Sequence, residues 1–215
     1  MIQYIFSFFI GYLIGSFPTA YLLLRWKSKL DIRELGSGNV GAVNTFDVTG
    51  SKFLSVAVMI IDVLKGVLAV GLGLIIWDNQ FWLTGITGTA SIVGHDFPIW
   101  TGFRGGRGLS TSAGVMFLIG WVFVVGWCSI WGVVYVTVKD IHKSNVITSI
   151  ITPIMLALIP GNMLSVLLPP HTGAKEFLYM SILICFLIIL RHHQIMGVLL
   201  KFSHNANQIK DHGKT

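Results

Sequence analysis

The stretch best suited to chemistry is 94–112, GHDFPIWTGFRGGRGLSTS, in which Arg104 and Arg107 are interleaved with Gly102, Gly105, Gly106 and Gly108. An apolar run starts directly afterwards at Leu109. A glycine-rich turn opening into a helix leaves several backbone N–H groups without intrahelical partners. The helix dipole adds partial positive charge at the same end, and glycines let a ligand approach the backbone closely. Two guanidiniums bring fixed charge and forked donors suited to phosphate. Arginines alone would read as a solvated basic loop between membrane spans, which topology rules produce routinely. With the interleaved glycines and the abrupt helix start, the stretch predicts an anion cradle for phosphate.

Other polar residues are weaker signals. GSGNVG, Gly36 to Gly41, matches G-x-G-x-x-G literally, but a dinucleotide site needs a buried strand before it and a helix after it in a βαβ unit. Asp31 to Leu35 is charged and its neighbours are apolar spans, so that reading is rejected. The glycines, Ser37, Asn39 and Asn44 instead suit a compact loop facing a polar ligand. Asp62 and Lys65 stand three apart on one helical face and are read first as a mutually neutralising pair. His95 fits a packing role more often than a general base. His192 and His193 beside Arg191 read as interfacial anchors. No His/Cys/carboxylate spacing resembles a metal site, and H-x-x-x-x-D is absent: His171 is followed at that spacing by Glu176, and His95 by Trp100.

The elements that must position these residues are membrane helices. Of 215 residues, 53% are hydrophobic and only 11% charged, well below the ~25% charged of soluble domains. The net charge of +6 sits at the ends of apolar runs, which points to topology and anionic lipid or substrate; basic–aromatic interleaving of a nucleic-acid-binding kind is missing. Cys128 and Cys185 lie inside apolar runs and read as small buried hydrophobes. Spans are predicted over Ile2–Trp26, Phe53–Trp77, Phe81–Val93, Asn145–Leu168 and Phe177–Leu190, with Pro153 and Pro160 kinking the fourth of these. Leu109–Val138 is long for one crossing. A turn near Gly120 would put Arg104, Arg107, Lys139, His142 and Lys143 on one side with the other basic clusters, so a hairpin is favoured. The expected fold is an all-α membrane protein, a compact bundle of about seven transmembrane helices, one or two of them short. Residues 1–200 form one domain and 201–215 a short polar tail, with the N-terminus outside and the C-terminus in the cytosol.

YLIGSFPTA (Tyr12–Ala20), DIRELGSGNVGAVNT (Asp31–Thr45), DVLKG (Asp62–Gly66), GHDFPIWTGFRGGRG (Gly94–Gly108) and RHH (Arg191–His193) occur in this order. Together they resemble the bacterial acyl-phosphate:glycerol-3-phosphate acyltransferase family. The resemblance implies an inner-membrane enzyme, facing the cytosol, monomeric and without cofactor, metal or nucleic-acid partner. Such enzymes move a fatty acyl group from acyl phosphate to glycerol 3-phosphate. It further implies that the Gly105–Gly108 amides, Arg104 and Arg107 hold the donor phosphate with help from Ser144. Ser37, Asn39, Asn44 and His192 would line the acceptor site, with Ser37, Arg107 and His192 closest to the chemistry. The chain departs from the family pattern where Arg104 and Arg107 replace lysines, Asp47 an arginine, Ile195 an asparagine and His204 a glutamate. Two alternatives stay open: a divergent member with another acceptor or no activity, and a transporter or binder of a phosphorylated lipid.

Overall fold

Lipid offers no hydrogen bonds, so long apolar runs must satisfy their backbone internally as helices. The computed structural model describes residues 1–192, which are helices joined by turns. His193, Ile195, His204 and the predicted tail 201–215 lie outside the described residues.

The predicted first span holds over Ile2–Ser28, with an interruption in its helix. α1 (Ile2–Gly15) and α2 (Thr19–Ser28) are separated at 16–18, because Pro18 brings no N–H to the helical ladder and its ring opposes the preceding turn. The polar segment that follows carries a short helix, α3 (Ala42–Thr49), where a loop was expected. α4 (Lys52–Ile76) and α5 (Phe81–Asp96) occupy the next two predicted spans.

α6 (Leu109–Val138) bends back on itself. Gly120 has φ −179° and ψ 93°, outside the helical region. An unbroken helix of this length would hold its ends about 45 Å apart. Yet Arg107, before the helix, and His142, after it, approach to 2.9 Å. The chain therefore reverses at Gly120, as the placement of basic residues predicted. A Cβ on Gly120 would enter the Phe177 ring, which explains the glycine. The first limb, 109–119, rises only about 16 Å and reaches mid-membrane.

α7 (Ile141–Ala157) and α8 (Gly161–Leu167) meet at 112°. The break falls at Pro160, whereas Pro153 sits inside α7 without ending it. α9 covers 174–192. Among the described residues three helical stretches, Ile2–Ser28, Lys52–Ile76 and Leu109–Val138, are long and apolar enough to cross a membrane, and α7 with α8 makes a fourth if the bent pair is one span.

Glycines set the spacing of the bundle. Gly11 and Gly15 of α1 lie against the backbone oxygens of Thr87 and Ser91 in α5, and Gly94 of α5 against Tyr12. Gly66 of α4 and Gly114 of α6 oppose Thr111 and Val63 reciprocally. This small-residue packing lets membrane helices approach closely, here within one chain. A Gly15→Leu substitution is expected to push α1 off α5. Overpacking of this kind costs about 3 kcal/mol, or roughly a 10 °C fall in unfolding temperature for a chain this size. Thermal unfolding in detergent checks it; an unshifted midpoint would contradict the close contact.

Candidate active site

The glycine-rich loop is tied from three sides. Gly106 N–H donates to the His95 carbonyl at the end of α5 (3.0 Å), and Val40 N–H donates to the Gly105 carbonyl (3.2 Å). Arg191, near the end of α9, donates through Nη2 and Nε to the Gly106 carbonyl at 2.7 and 3.1 Å. A Cβ on Gly106 would run into the His95 ring, and Gly108, at φ +69°, has Ile92 and the Asp96 carboxylate against the same space. The Gly106 amide is therefore bonded internally, which corrects the expectation that all the collar amides face a ligand. The open donors are those of the first turn of α6, which no side chain caps.

Arg107 stands beside that turn. Its Nη1 lies 2.9 and 3.2 Å from the two ring nitrogens of His142. Its buried Nε has no hydrogen-bond partner among the described residues. Burial, then Arg191, push the guanidinium down to about 10 while Asp47 opposes the shift, so it stays cationic at neutral pH. Arg104 is placed differently. It is exposed, donates through Nη2 to the Arg33 carbonyl (2.7 Å), and Arg33 Nη1 donates in return to the Thr101 carbonyl (3.2 Å). It latches the two loops together and does not line the cavity. The predicted pair of guanidiniums in one cradle is here a single one.

The cavity that Arg107 enters encloses about 380 Å³. Its polar lining includes Asn39, Arg107, His142, Asn145 and His192, with Asp62, His95, Ser110 and Ser112 also at its edge; Phe123, Val124, Trp127 and Ile188 form an apolar wall. Such a concavity suits a ligand with a charged head and an apolar chain. His192 is fully buried. Trp131 Nε1–H donates to Asn145 Oδ1 (2.7 Å), which turns the Asn145 amide N–H toward His192 Nε2 at 3.1 Å. That ring nitrogen must accept, so the proton sits on Nδ1 and goes to the Ile188 carbonyl at 2.8 Å. The network holds a neutral imidazole in one tautomer at the cavity wall. Ser144, next to Asn145, is buried outside the lining, its Oγ without a partner among the described residues.

Loop one contributes mainly through Asn44. Its Nδ2 faces the carbonyls of Ile32, Leu35 and Asn39 at 3.3, 3.1 and 2.9 Å, and its Oδ1 accepts Ser37 N–H at 2.9 Å. The amide is spent on the loop's own backbone, so Asn44 shapes the loop while Asn39 faces the cavity. Ser37 is exposed and outside the lining. Replacing Asn44 with alanine strands those carbonyls and should cost about 1–3 kcal/mol. Thermal unfolding of the Asn44→Ala protein would show it, and an unchanged midpoint would deny the staple.

A buried polar cluster underlies the collar. Lys65 Nζ lies 2.9 Å from Asp62 Oδ1 and donates to the carbonyls of Gly15 (3.2 Å) and Phe17 (2.9 Å) at the break in the first span, where Phe17 also accepts Thr19 N–H (3.0 Å). It also sits 3.2 Å from His95 Nδ1, and Thr19 Oγ1 donates to the same Asp62 oxygen at 2.9 Å. The pair neutralises itself, as its spacing implied, and also braces the broken helix and the His95 ring beneath Gly106.

Sequence reading missed His142 and Asn145. A usable signal existed: Asn145, Thr148, Ser149 and Thr152 recur at helical spacing and are all buried, and a polar stripe on a membrane helix faces the bundle interior.

The family model described as glycerol-3-phosphate acyltransferase matches residues 5–201. Among curated relatives bearing that name, one from Shouchella clausii is 33% identical over 196 residues, 91% of both chains. Another, from Prochlorococcus marinus, is 32% identical over 187 residues, 86% of this chain and 89% of the relative. The structure is also similar to crystal structures of PlsY (YgiH), an integral membrane glycerol 3-phosphate acyltransferase. The glycerol 3-phosphate form gives a TM-score of 0.74 at 28% identity and the lysophosphatidic acid form 0.72 at 27%, each over 92% of both chains.

Proposed function

The chain belongs to the glycerol-3-phosphate acyltransferase family, and we propose that its acyl donor is an acyl phosphate and its acceptor the 1-hydroxyl of glycerol 3-phosphate. It is an integral membrane acyltransferase of phospholipid synthesis. The observation that carries the donor assignment is the cavity itself, with Arg107 and an uncapped helix start at its polar part and an apolar wall alongside.

An acyl phosphate is already activated, so positioning and charge stabilisation suffice. The acceptor hydroxyl oxygen forms the new ester bond at the acyl carbon. The bond from that carbon to the phosphate oxygen breaks, the electron pair leaves with the phosphate, and the hydroxyl proton passes to it. Lysophosphatidic acid and inorganic phosphate result, with no covalent enzyme intermediate. Arg107 and the first turn of α6 face the charge that develops on the leaving phosphate, and the acyl chain follows the Phe123–Trp127 wall. His192 and Asn39 face the acceptor. We place the protein as a monomer in the bacterial inner membrane, one domain over 1–200, its site opening to the cytosol where the basic clusters gather.

Asp47 supports a second reading. It is exposed on α3, and its field acts on both Arg107 and His142, which disfavours a strongly anionic acceptor. Purified protein given palmitoyl phosphate and a panel of acceptors decides between them. Lysophosphatidic acid from glycerol 3-phosphate above a boiled control supports the first reading. Product from a less anionic acceptor alone supports the second, and no product with any acceptor rejects the acyl-phosphate donor.

A further inference from the structure

Arg107 has no bulky neighbour in the chain to brace it, since Gly106 and Gly108 flank it. The direction of its guanidinium is therefore set by contacts from elsewhere, and His142 supplies the nearest one. We propose that His142 is a positioning residue of the phosphate site, accepting a hydrogen bond from Arg107 and thereby aiming the guanidinium into the cavity. This rests on the acyl-phosphate reading above.

Nη1 sits within reach of both ring nitrogens of His142, so the unprotonated one accepts whichever tautomer the ring adopts. A guanidinium only donates and keeps its protons. A ring nitrogen of His142 must then be the acceptor, at 2.9 Å for Nδ1 or 3.2 Å for Nε2. With Nη1 so engaged, the remaining N–H groups, including the unpartnered buried Nε, are held in a fixed plane. A planar fork held still is what bidentate phosphate binding requires. His142 is itself well placed to act as a fixed post. It lies in the first turn of α7, where Asp140 caps the helix by accepting Lys143 N–H at 2.9 Å. Its ring is half-buried, lines the cavity and stands 6.0 Å from the ring of His192.

A simpler role would be to add positive charge near an anion, and the two roles demand opposite side chains. Glutamine accepts through its amide oxygen but carries no charge; lysine carries charge but cannot accept; phenylalanine keeps the ring and does neither. If His142 positions Arg107, His142→Phe and His142→Lys should each lower kcat/KM with palmitoyl phosphate about tenfold, the scale of one hydrogen bond to a charged group. His142→Gln should recover most of that loss. Affinity for a non-hydrolysable palmitoyl phosphonate, read by calorimetry in the same detergent, should follow the same order without needing turnover. His142 lies at the cavity rim, so unfolding midpoints of all three variants should stay near that of the unmodified protein. Full activity in the lysine variant, or equal losses in the glutamine and phenylalanine variants, would overturn the inference. If the unmodified protein fails to turn over palmitoyl phosphate, the donor assignment is what fails, and the phosphonate affinities still decide the role of His142.

Discussion

Replacing Arg107 with alanine is expected to lower kcat/KM for acyl transfer by roughly 10²–10³, the usual loss when one preorganised group facing developing charge is removed. Arg107 is the guanidinium among the described residues lining the cavity, and burial deprives it of water that would otherwise screen it. With the proposed acyl-phosphate donor, leaving-group charge develops on the phosphate as the acyl bond breaks, so the contact would strengthen toward the transition state and the loss should appear in kcat as well as KM. Arg107→Lys keeps the charge but replaces a planar fork with a point charge, and an intermediate loss follows. Arg104→Ala is the matched control. Its guanidinium holds the Arg33 carbonyl outside the cavity, so its removal should loosen the loops and cost far less in rate. Initial rates for the three proteins under one detergent condition test this, and comparable losses for Arg104→Ala and Arg107→Ala would refute the division of roles.

That division marks where the sequence ceased to be informative. The glycine spacing and the apolar run after it placed the turn and the helix start at Leu109, because backbone freedom and helix starts are local properties. The reversal at Gly120 was also legible: topology responds to charge at helix ends, and one continuous helix would have split the basic clusters. Which of two arginines three residues apart enters a cavity is not local. It depends on Arg33 and His142, which come from distant segments. Asn44 illustrates the same limit, since an amide facing a ligand and one stapling its own loop look identical in sequence. The pairing of Asn145 with His192 joins residues 47 apart, and only the polar stripe on α7 hinted at it. The break at 16–18 was locally readable from Pro18, but hydropathy alone ran through it.

Lys65→Met tests the buried cluster beneath the collar, whose Asp62 and His95 also line the cavity. Lys65 and Asp62 are 6% and 2% exposed, so among the described residues removing the ammonium leaves a carboxylate with little solvent, Thr19 as its hydrogen-bond donor and the His95 ring 3.7 Å away. Breaking a buried pair from one side typically costs about 3–5 kcal/mol, which corresponds to a fall of roughly 10 °C or more in unfolding temperature. The Gly15 carbonyl loses its Lys65 donor at the same time, while the Phe17 carbonyl keeps Thr19 N–H. Neutralising the partner as well, in Lys65→Met with Asp62→Asn, should restore part of the stability, because the unpaired charge is gone while the freed Gly15 carbonyl remains. Activity should recover less than stability does. His95 Nδ1 also loses the ammonium beside it, and the ring that Lys65 steadied lies directly under Gly106, whose carbonyl Arg191 grips. Thermal unfolding and initial rates of the single and double variants separate the two effects: a double variant no more stable than Lys65→Met would remove the ion-pair account, and one with full activity would remove the link to the collar.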